Sequence, residues 1–311
     1  MNIFIPAAGF GSRLSPITSR IPKPLLPIVG KPLLGLSLEK LNRLKPNQIG
    51  INLHYLREAL TQWVAHSPLR NKIQLFPEET ILGSGGALNN AYSLLCQDHF
   101  LVYNSDVLCD LDLEWLMQQH LNSENLVTLT TCQHPKFPHV KANVAINSEG
   151  FFQGVDKKLI PYAKVAQYVA YTSIAMYSPE FLQFLPAGKS SVLDAWLTVA
   201  AKGYRIGTVD ISAYDWNDIG TPAAYFSAAM TNLKSTGKSV YIHPSANVNR
   251  TAVIEGEVII ERYAVVESGV SIKNCLLLPG AELIKNRRYE NSIIGPGYEL
   301  PMLSSFACAQ D

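Results

Sequence analysis

The sequence predicts an α/β protein with a doubly wound, mostly parallel sheet, followed by a smaller C-terminal module of different construction. Three observations predict it. Apolar runs of strand length alternate with amphipathic stretches from residue 1 to about 130, glycines cluster where the first run ends, and the apolar period changes after about residue 234. A chain of 311 residues, 47% hydrophobic, is long enough for one large core and a second module. The expected division is 1–234, 240–300 and a tail over 301–311.

Taken in order, Ile3 to Pro6 reads as a buried first strand. Leu34, Leu38 and Leu41 share one helical face, Ile49 to Leu53 reads as a strand, and Leu56, Leu60 and Trp63 form a second helical stripe. Ile73–Phe76 and Phe100–Tyr103 continue the strands, and their connections are long enough for parallel crossovers. Leu126–Cys132, Asn143–Ile146 and Thr172–Tyr177 have shorter links and suggest added strands able to wall a pocket, with Lys141, Asn143 and Thr172 facing it. A helix is predicted over Val192–Ala201, and another begins at Thr221 as N-cap with Pro222 in its first turn.

Beyond Lys234–Gly237, which reads as a linker, Ile242, Val248, Ile254, Ile260, Val266, Ile272, Leu278 and Ile284 recur every six residues. Ala246, Ala252, Val258, Ala264 and Val270 keep step. The pattern is similar to the hexapeptide repeat of a left-handed parallel β-helix, in which each unit forms one side of a triangular coil and points its apolar residue inward. So short a prism exposes its ends, which suggests cover from the rest of the chain or from a second copy in a homo-oligomer.

The net charge of +1 and the absence of a basic run argue against a nucleic-acid or membrane surface. The N-terminus shows no secretory signal and no apolar run reaches transmembrane length, so a cytoplasmic protein is expected. Five scattered cysteines, Cys96, Cys109, Cys132, Cys275 and Cys308, read as reduced, and the histidines form no paired metal-ligand spacing.

Chemistry concentrates in three segments. Ala7-Ala8-Gly9-Phe10-Gly11-Ser12-Arg13 turns the chain at a strand end with little side-chain cover, leaving amides suited to phosphate, and Arg13 adds a multidentate cation. Lys23, between Pro22 and Pro24, is expected in an extended, stiff segment. The spacing is neither the usual dinucleotide fingerprint nor a Walker loop. Leu82-Gly83-Ser84-Gly85-Gly86 opens a helix and is also a common way for a helix to start. Asp106, in Asn104-Ser105-Asp106, and Asp218, in Trp216-Asn217-Asp218, lie where carboxylates reach a ligand crevice or simply cap a helix.

Together, G-x-G-S-R-L-x-P-I-T-x-x-x-P-K-P-L-L-P, the Leu82–Leu88 run, N-S-D and W-N-D-I-G-T-P resemble the signature of sugar-1-phosphate nucleotidyltransferases over about the first 230 residues. The resemblance implies a nucleotide-diphospho-sugar transferase type of fold, and an enzyme that joins a nucleoside triphosphate to a sugar 1-phosphate with release of pyrophosphate. It implies catalytic roles for Arg13 and Lys23 and nucleotide contacts from Ala7, Ala8, Gly9, Gly11, Ser12, Gly85 and Gly86. Asn104, Lys157 and Ser173 are implied at the sugar phosphate, and Asp106 and Asp218 as ligands of Mg²⁺. Two departures stand out: Asp156-Lys157-Lys158 replaces the family's E-K-P, and Ser173-Ile174-Ala175 replaces N-A-G. The short repeat region favours mannose-1-phosphate guanylyltransferase-like specificity. The alternatives are a uridylyltransferase for an N-acetylated sugar 1-phosphate and a non-catalytic nucleotide-sugar sensor.

Overall fold

The computed structural model describes residues 1–133, 135 and 139–302. The expected tail from 303 onward, with Cys308, lies outside the described residues. The chain forms two compact units: one of residues 1–11, 21–25 and 34–218, the other of 12–20, 26–33 and 219 onward.

In the first unit, β1 (Asn2–Ile5) is the strand expected from its apolar run. The small hairpin of β2 (Pro27–Ile28) and β3 (Lys31–Pro32) follows in sequence but belongs to the second unit. Then come β4 (Ile49–Leu53), β5 (Ile73–Pro77) and β6 (Phe100–Tyr103). Their order is β5-β4-β1-β6, all parallel. The chain leaves β1 to one side for β4 and β5 and returns to its other side at β6. In such sheets this reversal opens a crevice beyond the strand carboxyl ends.

Side chains alternate across the sheet. Phe4 joins one buried cluster with Leu88, Leu95 and Trp196, whereas Ile3 and Ile5 join another with Leu34, Leu38, Leu41, Leu60 and Leu116. Helices therefore cover both faces: α1 (Leu33–Leu41), α2 (Arg57–Ala65) and α5 (Leu113–Leu121) supply the second cluster, and α3 (Gly83–Asn90), α4 (Tyr92–Leu95) and α6 (Val192–Ala201) the first. In α2 the buried stripe is Leu60 and Val64, because Leu56 stands outside the helix in a left-handed conformation.

Beyond β6 the sheet turns antiparallel. The short β7 (Val107–Cys109) leaves the main sheet, and β8 (Val127–Cys132), β9 (Val144–Ile146), β10 (Phe152–Val155), β11 (Lys158–Leu159) and β12 (Gln167–Tyr177) continue the chain. β12 pairs with β6 through its second half, with β9 through its first, and with β8 on both sides of a central irregularity, from Ala170 to Tyr177. The β12–β8 register shifts between Tyr171 and Ala175, and Ser173 takes a left-handed φ of 62° there. β13 (Ile206–Asp210) lies parallel to β8, and β14 (Trp216–Asp218) pairs with β7. Thr172, expected to face a pocket, is instead buried, with its hydroxyl bonded to Thr130.

In the second unit, α7 (Pro222–Ser235) starts at Thr221, whose hydroxyl accepts from the Ala224 amide. The β2–β3 hairpin is tied down twice: the Tyr225 hydroxyl donates to the Pro27 carbonyl at 2.6 Å, and the Gly30 amide to buried Glu261 at 2.9 Å.

The remaining strands are β15 (Val240–Ile242), β16 (Asn247–Val248), β17 (Val253–Ile260), β18 (Val265–Val266), β19 (Ser271–Leu277), β20 (Glu282–Leu283), β21 (Arg288–Gly295) and β22 (Tyr298–Pro301). They stack in parallel as three faces, a pairing consistent with a β-helix, and β22 folds back antiparallel on β21.

Successive coils are not equal in length. Val240 pairs with Val258 and Val253 with Ser271, 18 residues apart, whereas Val258 pairs with Cys275 and Val265 with Glu282, 17 apart. The missing residue breaks the six-residue period. Leu283 takes the inward position at 0% exposure, and Ile284, expected inside, is 61% exposed. Ile242, at the open first coil, is also exposed. Among the described residues no helix is long and apolar enough to cross a membrane.

Candidate active site

The site is built where β1 and β6 end. After β1, Ala7 and Ala8 are buried, Gly9 is exposed with open space where a side chain would stand, and Gly11 has φ +64°, a conformation that favours glycine. Beside this bend, the Ser105 amide donates to the Pro6 carbonyl at 3.3 Å, which joins the end of β6 to the end of β1. The Asn104 amide donates to the Ser173 carbonyl at 3.1 Å, so these two sugar-phosphate candidates are neighbours. The bulge in β12 creates that contact.

Lys23 is not extended. Lys23–Leu25 forms a 3₁₀ turn closed by the Leu25 amide on the Pro22 carbonyl at 2.8 Å. Proline excludes the longer α-helix but tolerates a single turn of this kind, where its missing N–H is not needed. The turn directs the Lys23 ammonium onto the Asp106 carboxylate, with which it forms an ion pair. The two side chains are only 13% and 21% exposed, so water screens the pair weakly.

Asp218 reaches the same place by strand pairing. In the β7–β14 ladder it stands opposite Val107, the residue after Asp106. Trp216 anchors β14 through its indole N–H, which donates to the Thr172 carbonyl at 2.8 Å. The His139 imidazole lies 3.3 Å from Asp218. His139 belongs to no ligand spacing in the sequence; only the fold brings it to the carboxylate.

Among the described residues no three His, Cys, Asp or Glu side chains form a metal cage. Asp106, one residue before β7, and Asp218, the last residue of β14, bring two hard-oxygen side chains to neighbouring backbone positions. That donor set fits an ion such as Mg²⁺, which binds through one or two carboxylates and takes its other ligands from water and phosphate.

Gly85 and Gly86 lie buried at the start of α3, and both amides donate to the Ser190 carbonyl, at 3.0 and 3.4 Å. Their lack of side chains lets the 188–191 loop approach: a Cβ on Gly86 would stand 2.4 Å from the Gly188 carbonyl oxygen. A hydrogen bond from this segment to a base therefore has to use other atoms. Lys157 is exposed in the two-residue turn joining β10 and β11. Ser12 and Arg13 are exposed in a 3₁₀ turn that belongs to the second unit, so the division between units falls inside the glycine motif.

The nucleotidyl transferase family model matches residues 4–235, and the GMPPB C-terminal domain model matches 236–301. Among relatives, the UTP–glucose-1-phosphate uridylyltransferase of Synechocystis sp. is 28% identical, across 96% of this chain and 86% of its own length. The mannose-1-phosphate guanylyltransferase catalytic subunit beta of Danio rerio is 26% identical, across 95% and 86%. Solved structures share the fold. HddC from Yersinia pseudotuberculosis, crystallised with GMP-PN, superposes with TM-score 0.60 and 23% identity over 74% of this chain and 98% of its own. An apo UDP-glucose pyrophosphorylase gives 0.63 and 21% over 76% and 98%. The match spans the doubly wound sheet with Lys23, Asp106 and Asp218 at its mouth, and the chain belongs to the nucleotidyl transferase family of enzymes.

Proposed function

We propose that the protein joins a nucleoside triphosphate to a sugar 1-phosphate, releasing pyrophosphate, with GTP and mannose 1-phosphate as the substrate pair. The observation that carries this is the half-buried Lys23–Asp106 pair with Asp218 on the adjoining strand. An anionic oxygen of the sugar phosphate attacks the α-phosphorus in line. A new P–O bond forms as the bond to the bridging oxygen of pyrophosphate breaks, and no proton has to move. The protein's task is positioning and charge neutralisation.

Lys23 meets charge developing at the α-phosphate. Backbone amides from Ala7 to Ser12 and the guanidinium of Arg13 take the leaving pyrophosphate. The segment containing Gly85 and Gly86 lines the base, and Asn104, Ser173 and Lys157 hold the incoming phosphate and its sugar. Asp106 and Asp218 would hold Mg²⁺, which supplies neutralisation of phosphate oxygens when bound.

Guanine and a manno-configured sugar are supported by the GMPPB C-terminal domain match and the guanylyltransferases among the relatives. The uridylyltransferase from Synechocystis sp., at 28% identity, favours a second reading, uridylyl transfer. Self-association through the open first coil belongs to the same proposal, supported by exposed Ile242 at the end of the stack.

Pyrophosphate release across four nucleoside triphosphates and a panel of sugar 1-phosphates, with Mg²⁺, tests the assignment. Product from GTP and mannose 1-phosphate is expected; product from UTP alone transfers the assignment to the second reading. Nucleotide-sugar binding without pyrophosphate from any pair overturns catalysis in favour of a sensor. Lys23→Ala and Asp106→Asn should each lower turnover about a hundredfold or more while the melting transition stays cooperative.

A further inference from the structure

Two buried polar residues outside the assigned site connect its two nucleotide segments. Glu78, one residue past the end of β5, is 2% exposed, and Asn52, inside β4, is 4% exposed. The Asn52 side-chain amide donates to Glu78 Oε1 at 2.7 Å, and the Leu82 backbone amide donates to Glu78 Oε2 at 2.8 Å. At its other end Asn52 Oδ1 accepts from the Ala7 amide at 2.7 Å. A continuous chain thus runs from Ala7, in the glycine bend, through Asn52 and Glu78 to Leu82, at the mouth of α3.

The chemistry of this chain admits one direction only. The Ala7 and Leu82 backbone amides can only donate, so Asn52 Oδ1 and Glu78 Oε2 both accept, and Glu78 presents an acceptor to both neighbours. That turns the Asn52 NH₂ toward Glu78 and its carbonyl oxygen toward Ala7. Both contacts to Glu78 come from neutral amides, and burying a charge in this way is costly compared with an apolar residue of similar volume. Glu78 is held further by its own backbone: its amide donates to the Leu53 carbonyl at 2.9 Å, and its carbonyl faces His54 Nδ1 at 2.8 Å. The carboxyl group is therefore a fixed point between the two loops.

We propose that Asn52 and Glu78 are positioning residues for the nucleoside triphosphate: they set the glycine bend and the Leu82 loop at one separation and orientation, so that triphosphate and base are gripped together. This rests on the proposed function, in which those two segments bind the triphosphate. Neither residue touches substrate. Their loss weakens nucleotide binding while the sugar-phosphate side, built on Asn104 and Ser173, keeps its contacts.

The test uses hydrogen-bond polarity. In Glu78→Gln one amide N–H must face another, at Leu82 or, after Asn52 turns over, at Ala7. In Asn52→Asp two carboxylates face each other. In the double variant N52D/E78Q every bond is restored with one donor reversed. The introduced amide at position 78 donates to the introduced carboxylate at position 52 and accepts from Leu82, and that carboxylate still accepts from Ala7. Net charge is unchanged.

Nucleoside triphosphate binding by calorimetry, KM for each substrate, and the melting temperature are measured for all four proteins. Each single variant should weaken triphosphate binding about tenfold or more, with KM for the sugar phosphate within about twofold, and the double variant should recover to within about threefold of the parent. Equal triphosphate affinity in the parent and E78Q overturns the proposal, as does a matched rise in both KM values. Should the single variants not fold, a folded double variant with weak triphosphate binding overturns it. A parent protein that binds no nucleoside triphosphate overturns the proposed function itself, a result distinct from an active parent with an unaffected E78Q.

Discussion

At the scale of single residues, buried polar groups divide into those that serve the site and those that serve the fold. His120, 1% exposed, belongs to the fold: its ring nitrogens face Thr128 at 2.9 Å and His99 at 3.1 Å. Burial, reinforced by the His99 ring, lowers its pKa to about 4. The unfolded chain takes up this proton near pH 6.5, whereas the folded protein resists it until about pH 4. Stability is therefore full above pH 6.5 and falls as pH drops toward 4, by up to about 1.4 kcal/mol per pH unit from this residue. Denaturant midpoints from pH 8 to 4 should show that decline in the parent and a flatter profile in His120→Gln. In the sequence Lys23, Asp106 and Asp218 stand out because each sits in a motif that resembles the sugar-1-phosphate nucleotidyltransferase signature. Asn52, Glu78, His120 and His139 left no comparable signal: each is a lone polar residue whose partner is distant in sequence.

Among the elements, those defined by local chemistry were legible to the residue. β4, β6 and α6 have the bounds expected from apolar runs, and Thr221 caps α7 through its hydroxyl. Elements shaped by neighbours were not. β12 begins five residues earlier than its apolar run suggested, because its first half pairs with β9 beyond the bulge at Ser173. The 3₁₀ turn at Lys23 likewise follows from closure onto Pro22 rather than from the prolines' extended preference. The start of α3 gives a prediction at this scale. A Cβ on Gly86 would stand 2.4 Å from the Gly188 carbonyl oxygen and 2.9 Å from Leu82 Cβ, and backbone cannot yield as a flexible side chain can. Gly86→Ala should therefore cost about 1–3 kcal/mol by thermal or denaturant melting and displace the 188–191 loop. An unchanged melting temperature would show that loop to be free to retreat.

On the scale of the whole molecule, the two units solve different burial problems. The doubly wound sheet hides both faces under helices, while the repeat stack hides its interior by coiling and closes its last edge with antiparallel β22. Its first coil has no such cover within the stack: Ile242 is 43% exposed and Val248 and Ile254 are only partly buried. If copies of the chain meet there, Ile242→Lys should shift sedimentation from oligomer toward monomer, because a desolvated ammonium has no partner in an apolar contact. A parent protein that sediments as a monomer removes that role.

The doubly wound class, the glycine bend, the motifs that hold Lys23 and the two aspartates, and the change of apolar period after residue 234 are all legible in local periodicity and short stretches of chain. The 17-residue spacing that turns Ile284 outward, the joining of His139 to Asp218, and the Ala7–Asn52–Glu78–Leu82 chain arise in the folded arrangement. Register and long-range hydrogen bonds depend on which strands become neighbours, and that choice is made by packing the whole core, not by any single stretch of chain.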